Sequence, residues 1–313
     1  MSGAEGIEIV PFAADAHLDW LALTEALAAG HARARPEIGD GFLYRGADTL
    51  LTRTAWIDGM GLAVKCATVF PGNLAQGLPS VNGAMLLFDD ATGCAEALVD
   101  FHLVTKWKTA GDSLLAARRL ARPDAREILI LGAGTVAASL IDAYRAAFPD
   151  AAITLWNRTS ERAEALAALR PGVGVARDLE AAVRGADIVS SATMARAPIL
   201  RGDWLRPGQH IDLIGAFRPD MREADDAALR RARVFVDARA TTIGHIGELM
   251  IPMEAGVIGP GDVVADLFDL AEGGFRRESD SEITLFKNGG GAHLDLMTAR
   301  YILDTWRRVR ATC

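Results

Sequence analysis

Glu127-Ile128-Leu129-Ile130-Leu131-Gly132-Ala133-Gly134-Thr135-Val136-Ala137 is the stretch whose reading decides the fold. An apolar run of strand length turns on two glycines into an alanine-rich segment with helical spacing. Gly132 permits the tight turn from strand to helix, and Gly134 lets the backbone come close to phosphate groups. Ala137, standing where a third glycine is common, is small enough for the helix to pack on the strand. The helix predicted over 136–147 aims its free amides and positive dipole end at a pyrophosphate. Thr135 and Val136 open that helix and are candidate cofactor contacts. Glycine turns also end strands for purely structural reasons. Here a second strand, predicted over 152–156, follows at the distance a dinucleotide-binding unit requires.

That second strand runs into Asn157-Arg158-Thr159-Ser160. Folds of this kind usually place a carboxylate there on the ribose 2'-hydroxyl of NAD. A carboxylate would repel a 2'-phosphate, whereas a guanidinium pairs with one and a hydroxyl hydrogen-bonds to it. Asn157, Arg158 and Thr159 therefore favour NADP(H), with NAD(H) as the alternative. Thr159 or Ser160 could instead cap the helix that begins near Glu161, leaving Arg158 solvated.

Around this core the chain has 313 residues, half of them apolar and 24% charged, an ordinary globular composition long enough for two domains. A net charge of -8 argues against general nucleic-acid binding. Cys66, Cys94 and Cys313 have no paired spacing for zinc or a disulfide framework. The six histidines, His17, His31, His102, His210, His245 and His293, form no ligand pair, so no metal site is expected. The first residues lack the basic end and apolar core of a signal peptide, and no apolar run is long enough to cross a bilayer. A cytoplasmic protein without membrane contacts is expected.

Working outward, residues 7–30 read as a short strand and a helix over 15–29. From 41 to 88 the pattern becomes short strands over 42–44, 49–51, 62–70 and 83–88, separated by turns such as Arg45-Gly46-Ala47-Asp48 and Pro71-Gly72-Asn73. A long helix over 104–120 ends at Arg122-Pro123-Asp124. Beyond 125, strands over 127–131, 152–156, 187–191, 210–214 and 233–237 alternate with helices, which implies a parallel sheet. Loops rich in Gly, Pro and acid follow residue 240, and a helix over 293–308 closes the chain. A helix after a nucleotide domain often packs back on the first domain, which would make that domain discontinuous.

With these segments in place, the chain resembles the ornithine cyclodeaminase/mu-crystallin family along nearly its whole length. The stretches that carry the resemblance are Val64-Lys65-Cys66-Ala67-Thr68-Val69-Phe70-Pro71-Gly72-Asn73 and Ala91-Thr92-Gly93-Cys94-Ala95-Glu96-Ala97-Leu98. To these are added Lys108-Thr109-Ala110, Gly132-Ala133-Gly134 and Glu282-Ile283-Thr284-Leu285-Phe286-Lys287-Asn288-Gly289-Gly290-Gly291. The resemblance implies an α/β fold with a Rossmann-type doubly wound parallel sheet over 122–292. It also implies a discontinuous α+β substrate and dimerisation domain over 1–121 and 293–313, and a homodimer. Known members turn ornithine into proline and ammonia, reduce cyclic ketimines with NAD(P)H, or dehydrogenate simple amino acids. Mu-crystallins also bind ligands without catalysis.

Residue by residue, Lys65 matches the family's substrate-carboxylate lysine. A lysine inside an apolar strand is costly unless an anion partners it, so the physical expectation agrees. A solvated position at a strand edge is the alternative. Lys108 stands where the family usually has arginine, so the charge survives but the bidentate clamp is lost. Arg53 could supply that guanidinium from a neighbouring strand, with Arg45 as second choice. Cyclodeaminases carry a catalytic aspartate where this chain has Phe217, which cannot transfer protons. Asp220 and Asp112 are the candidate substitutes; Asp112 falls one helical turn after Lys108, where a simple salt bridge would explain it equally. Thr193 is expected on the nicotinamide side, and Lys287 and Gly289 are expected near the cofactor. Asp237 is expected to order a strand end.

The favoured function is NAD(P)H-dependent reduction of a small cyclic imino acid, of the pyrroline-2-carboxylate or piperideine-2-carboxylate type, with Lys65, Lys108 and Arg53 holding its carboxylate. Ornithine cyclodeaminase proper and a catalytically silent NADP-binding dimer are the alternatives.

Overall fold

The structure is a computed structural model that describes residues 6–312. The chain divides into two compact units, one built from residues 1–108 and 291–313 and the other from 109–290. The division falls inside one long helix, so a single element belongs partly to each unit.

The discontinuous unit is a six-stranded sheet in the order β1-β6-β5-β4-β3-β2. Its strands are β1 (Glu8–Val10), β2 (Glu37–Arg45), β3 (Asp48–Ile57), β4 (Gly61–Val69), β5 (Val81–Phe88) and β6 (Ala95–Asp100). Four consecutive antiparallel pairings join β2 to β6, and β1 adds in parallel at the far edge. Strand β6 begins inside the Ala91–Leu98 stretch and runs on to Asp100, where no strand is expected from periodicity. The expected strands at 42–44 and 49–51 extend into one long hairpin.

Period-two alternation splits the sheet into two unlike faces. One face presents small residues, Ala55, Ala63, Ala67 and Ala97, with Met85, Leu87 and Val99, all buried. Small side chains let the closing helix α9 (Ala292–Thr312) lie close on this face beside α1 (Trp20–His31). The other face carries the cross-strand row Thr54, Val64, Leu86, Leu98 and Ile9. It is apolar and uncovered: Ile9 is 68% exposed and Trp56 49%. Asp19 caps the start of α1, accepting a 2.7 Å hydrogen bond from the Ala22 amide.

The second unit is an eight-stranded, wholly parallel sheet. Its strands are β7 (Glu127–Leu131), β8 (Ala152–Trp156), β9 (Val173–Val175), β10 (Ile188–Ser191), β11 (His210–Leu213), β12 (Arg233–Val236), β13 (Val263–Asp266) and β14 (Thr284–Lys287). The spatial order is β13-β12-β14-β11-β10-β7-β8-β9. Order reverses between β7 and β10, the switch point at which ligands bind in doubly wound sheets. Two parallel strands, β13 and β14, appear where loops are expected, and β9 appears between two expected strands where only helix is expected. β14 is inserted between β11 and β12, and all four of its residues are buried. Strands buried on both faces read as short apolar runs without alternation, and four residues are too few to stand out. No helix among the described residues is long and apolar enough to cross a membrane. No group of three or more His, Cys, Asp or Glu side chains among them could hold a metal ion.

Candidate active site

In the parallel unit, β7 delivers the chain to Gly132, whose φ of 115° few other residues adopt. Gly132 donates its amide to the Trp156 carbonyl at 2.8 Å, which ties the turn to the end of β8. A Cβ there would stand 2.8 Å from the Ala192 carbonyl oxygen. Gly134 is the N-cap of α3 (Thr135–Ala147), and no side chain caps that helix. A Cβ on Gly134 would meet nothing within 4 Å. The helix N-terminus, its open amides and a bare backbone therefore face free space, which fits a pyrophosphate. Thr135 is exposed and Val136 half-buried at that helix start, while Ala137 is buried against the sheet.

The space is a cleft of about 310 Å³ lined by Gly132, Gly134, Asn157, Arg158, Thr159 and Arg162, and on its other wall by Thr193 and Met194. Asn157 donates its side-chain amide to the Thr159 carbonyl at 2.8 Å, fixing the turn after β8. Thr159 is the N-cap of α4 (Ser160–Ala168), yet its hydroxyl makes no capping hydrogen bond. Sequence reading did not single out Arg162. It lies in the first turn of α4 and lines the same cleft as Arg158, so two guanidinium groups border one anion-sized space.

Thr193 borders the cleft through its backbone, but its hydroxyl is turned inward to Glu223 at 2.7 Å. Glu223 is fully buried and also accepts from the Thr193 amide, the Ser191 hydroxyl and the Gly215 and Ala216 amides. One carboxylate thus binds together the chain leaving β10 and the chain leaving β11. Glu248 in turn accepts from the Glu223 and Ala224 amides, and burial pushes its carboxyl up to about 7.

Lys287 belongs to this interior rather than to the cleft. Its ammonium is fully buried and donates to the Leu213 carbonyl at 2.9 Å. Burial lowers its pKa, and Glu223, Glu248, Asp237 and Asp212 offset that effect. A strand position at the sheet centre explains the placement, because Lys287 faces the interior from β14. Gly289 is likewise tied inward, its amide donating to Asp237 at 3.1 Å, with Gly290 donating to the same oxygen at 2.5 Å. Asp237 also accepts from Thr242 and so orders this strand end. Asp112, on the part of helix α2 (Phe101–Leu120) that belongs to the parallel unit, is fully buried. Phe217 is 57% exposed, and the nearby Asp220 is exposed and held by Arg218 at 2.8 Å. No free carboxylate from this loop replaces the one absent at Phe217.

The discontinuous unit holds a separate charged cluster. Lys65 points from β4 to the helix-covered face, and Lys108 reaches it from α2; both are about 8% exposed. Asp295, from the first turn of α9 and fully buried, lies between them. Its Oδ1 is 3.0 Å from the Lys65 ammonium and 3.1 Å from that of Lys108. Lys65 also donates to the Thr105 hydroxyl at 3.3 Å and sits 4.8 Å from the centre of the Phe101 ring. Burial drives the Lys65 pKa down to about 8, with Lys108 adding to the shift and Asp295 opposing it. Burial alone would raise the Asp295 carboxyl, but Lys108 and Lys65 outweigh it and hold the carboxyl below its usual range.

Arg53 stands directly across from Lys65 in the β3–β4 register and is 3.4 Å from Asp40. Arg45 lies well away from that register position and is paired on the surface with Asp48 at 2.9 Å. His31 and His293 meet edge to face at 5.6 Å beside the cluster. Burial, then His31 and Lys108, hold the His293 pKa well below normal, so its ring is neutral. The structure therefore brings Lys65, Lys108 and Arg53 together. It adds Asp295, whose only sequence signal was a carboxylate on the apolar side of an amphipathic helix.

The model of the "Ornithine cyclodeaminase/mu-crystallin family" matches residues 54–310. The chain is 54% identical over 295 residues to the delta(1)-pyrroline-2-carboxylate reductase of Paracoccus denitrificans, covering 92% of this chain and 93% of that one. It is 35% identical over 246 residues to the ketimine reductase mu-crystallin of Mus musculus, covering 78% and 76%. Among solved structures, the Thermococcus litoralis delta(1)-pyrroline-2-carboxylate reductase in complex with NADH and L-proline superposes with a TM-score of 0.88 at 26% identity, covering 97% of this chain and 98% of that one. On these matches, spanning both units, the chain belongs to the ornithine cyclodeaminase/mu-crystallin family.

Proposed function

We propose that the protein reduces a small cyclic imino acid of the pyrroline-2-carboxylate class to the cyclic amino acid, using a nicotinamide dinucleotide as hydride donor. The observation that carries this reading is the cluster of Lys65, Lys108 and Arg53, which brings three cations together on a largely buried surface. Two carboxylates, Asp295 between the lysines and Asp40 beside Arg53, leave the three cations one charge short of neutral, so a substrate carboxylate is the natural further partner. The 54% identity to a pyrroline-2-carboxylate reductase over nearly the whole chain supports the same substrate class.

The residues account for the chemistry as follows. Lys65, Lys108 and Arg53 bind the carboxylate and fix the ring, which restricts the reacting carbon to one approach. When bound, a nicotinamide dinucleotide would supply the hydride for the C=N carbon, with a proton ending on the ring nitrogen. A cyclic iminium brings that proton with it, so no carboxylate is needed at Phe217. Deamination of ornithine, by contrast, needs a group to shuttle amine protons, and Asp220 is engaged with Arg218. Asp112 is the remaining proposed acid–base group, and its full burial suits it to positioning more than to proton exchange with solvent.

For the cofactor we favour NADP(H). The cleft wall after β8 offers Asn157, Arg158, Thr159 and Arg162 with no acidic side chain in the lining. The uncovered apolar sheet face, with Ile9, Leu98, Leu86, Val64 and Trp56, supports a homodimer that buries it. The test of the reading is oxidation of NADPH by enzymatically generated pyrroline-2-carboxylate, with chiral analysis of the product. Stoichiometric formation of one proline enantiomer is expected. Absence of any rate above background with five- and six-membered imino acids would overturn it.

A further inference from the structure

Among the described residues, Asp295 touches both lysines of the cluster. It approaches them with the same oxygen, Oδ1, at 3.0 and 3.1 Å. Its second oxygen is buried and accepts no hydrogen bond among the described residues. We propose that Asp295 is a positioning residue that clamps Lys65 and Lys108 as a pair and sets the charge this pair presents to a substrate carboxylate.

Two ammonium groups this close repel one another, and burial adds a desolvation cost to each. Without an anion, the pair would relieve both costs by releasing a proton or swinging apart. The fixed carboxylate removes that option before substrate arrives. The other groups around the pair do not supply a negative charge. Arg53 on β3 is cationic and is itself paired with Asp40 of β2. His293 on α9 is neutral, packed against His31 of α1, and Thr105 and Phe101 of α2 are uncharged. Asp295 is thus the buried counter-charge that keeps Lys65, whose pKa is already lowered to about 8, protonated near neutrality. Substrate binding then needs no proton uptake. The inference rests on the imine-reductase reading for its substrate, but the charge state of Lys65 can be read without turnover.

The composition makes that direct. The chain contains four lysines, Lys65, Lys106, Lys108 and Lys287, so lysine labelled with carbon-13 at Cε gives four signals. Lys65→Arg assigns one of them. In the wild type the Lys65 signal should titrate near pH 8. In Asp295→Asn it should titrate at least about one pH unit lower, and Asp295→Glu should recover part of the difference. The alkaline limb of kcat/KM for the imino acid should move with it. Near-ultraviolet circular dichroism of the stacked Trp20–Trp107 pair, 3.8 Å apart, reports whether this unit keeps its fold in each variant. An unmoved Lys65 titration in a folded Asp295→Asn variant would overturn the proposal. So would an equal loss of activity at every pH in both variants. If the wild type reduces no imino acid, the reductase reading fails while the labelled titration still decides the role of Asp295.

Discussion

Replacing Glu223 by glutamine changes one atom of the carboxylate and tests how the cofactor cleft is held. Oε1 accepts from the Ser191 hydroxyl at 2.6 Å and from the Thr193 amide and hydroxyl at 2.8 and 2.7 Å. Oε2 accepts from the Gly215 and Ala216 amides at 2.6 and 3.3 Å. A glutamine must set its NH₂ against one of these groups. The hydroxyls can rotate but backbone amides cannot, and the Oε2 side has only backbone donors. Either orientation therefore strands at least one buried amide, and the orientation facing Gly215 strands two. The glutamine takes the less costly orientation, which strands one amide, so the loss is about 1–3 kcal/mol. Loss of the negative charge near Lys287 adds to this, because that buried ammonium relies on Glu223 and its neighbours.

Amide hydrogen exchange followed by mass spectrometry reads the effect where it arises. Peptides covering 192–195 and 214–217 should exchange about 5- to 150-fold faster in Glu223→Gln, the factors matching about 1 and 3 kcal/mol. NADPH affinity should fall about tenfold or more, equivalent to about 1.4 kcal/mol, because the Thr193 segment forms one wall of the cleft. The reasoning is refuted if both segments exchange within about twofold of the wild type.

Other outcomes follow from the same geometry. Lys65→Met should lower kcat/KM for the imino acid by about 10- to 100-fold, the worth of one charge-assisted hydrogen bond, while NADPH affinity measured by fluorescence stays level. For the wild type, kcat/KM should be flat below pH 8 and decline above it, because Lys65, with its pKa lowered to about 8, must be protonated to hold a carboxylate. A limb that begins only near pH 10 would contradict the burial argument. Arg158→Glu should reduce the preference for NADPH over NADH by about tenfold or more in kcat/KM, and an unchanged ratio would remove Arg158 from the 2'-phosphate site. Leu98→Lys, on the uncovered sheet face between Ile9 and Leu86, should shift sedimentation from dimer to monomer without loss of helical circular dichroism.

Much of this architecture was legible in the chain because its segments are long or strongly punctuated. The turn at Gly132 is one example: an apolar run ends on a residue that must adopt positive φ, and strand, turn and helix follow in the expected order. The long helix ending at Arg122-Pro123 is another, since proline forbids its continuation. Strands β13 and β14 were illegible for a physical reason. Each has four residues, β14 is buried on both faces, and acidic and glycine-rich flanks surround them. Lys287 was expected near the cofactor through the family resemblance and the glycines that follow it; in the fold it is buried among four interior carboxylates. Arg53, Lys65 and Lys108 were recognisable as cations in costly places. Asp295 was not, because its partners lie 230 and 187 residues away in sequence, and only tertiary packing brings them to it.

The central claim is that hydride passes from a nicotinamide to the C=N carbon of a cyclic imino acid. Single turnover of pyrroline-2-carboxylate with NADPH deuterated stereospecifically at C4 of the nicotinamide, on the face the enzyme uses, tests it most directly. The account predicts proline carrying one deuterium at its α-carbon and NADP+ that has lost it. Proline without deuterium from either C4-labelled face, or proline formed only from ornithine with release of ammonia, would contradict it.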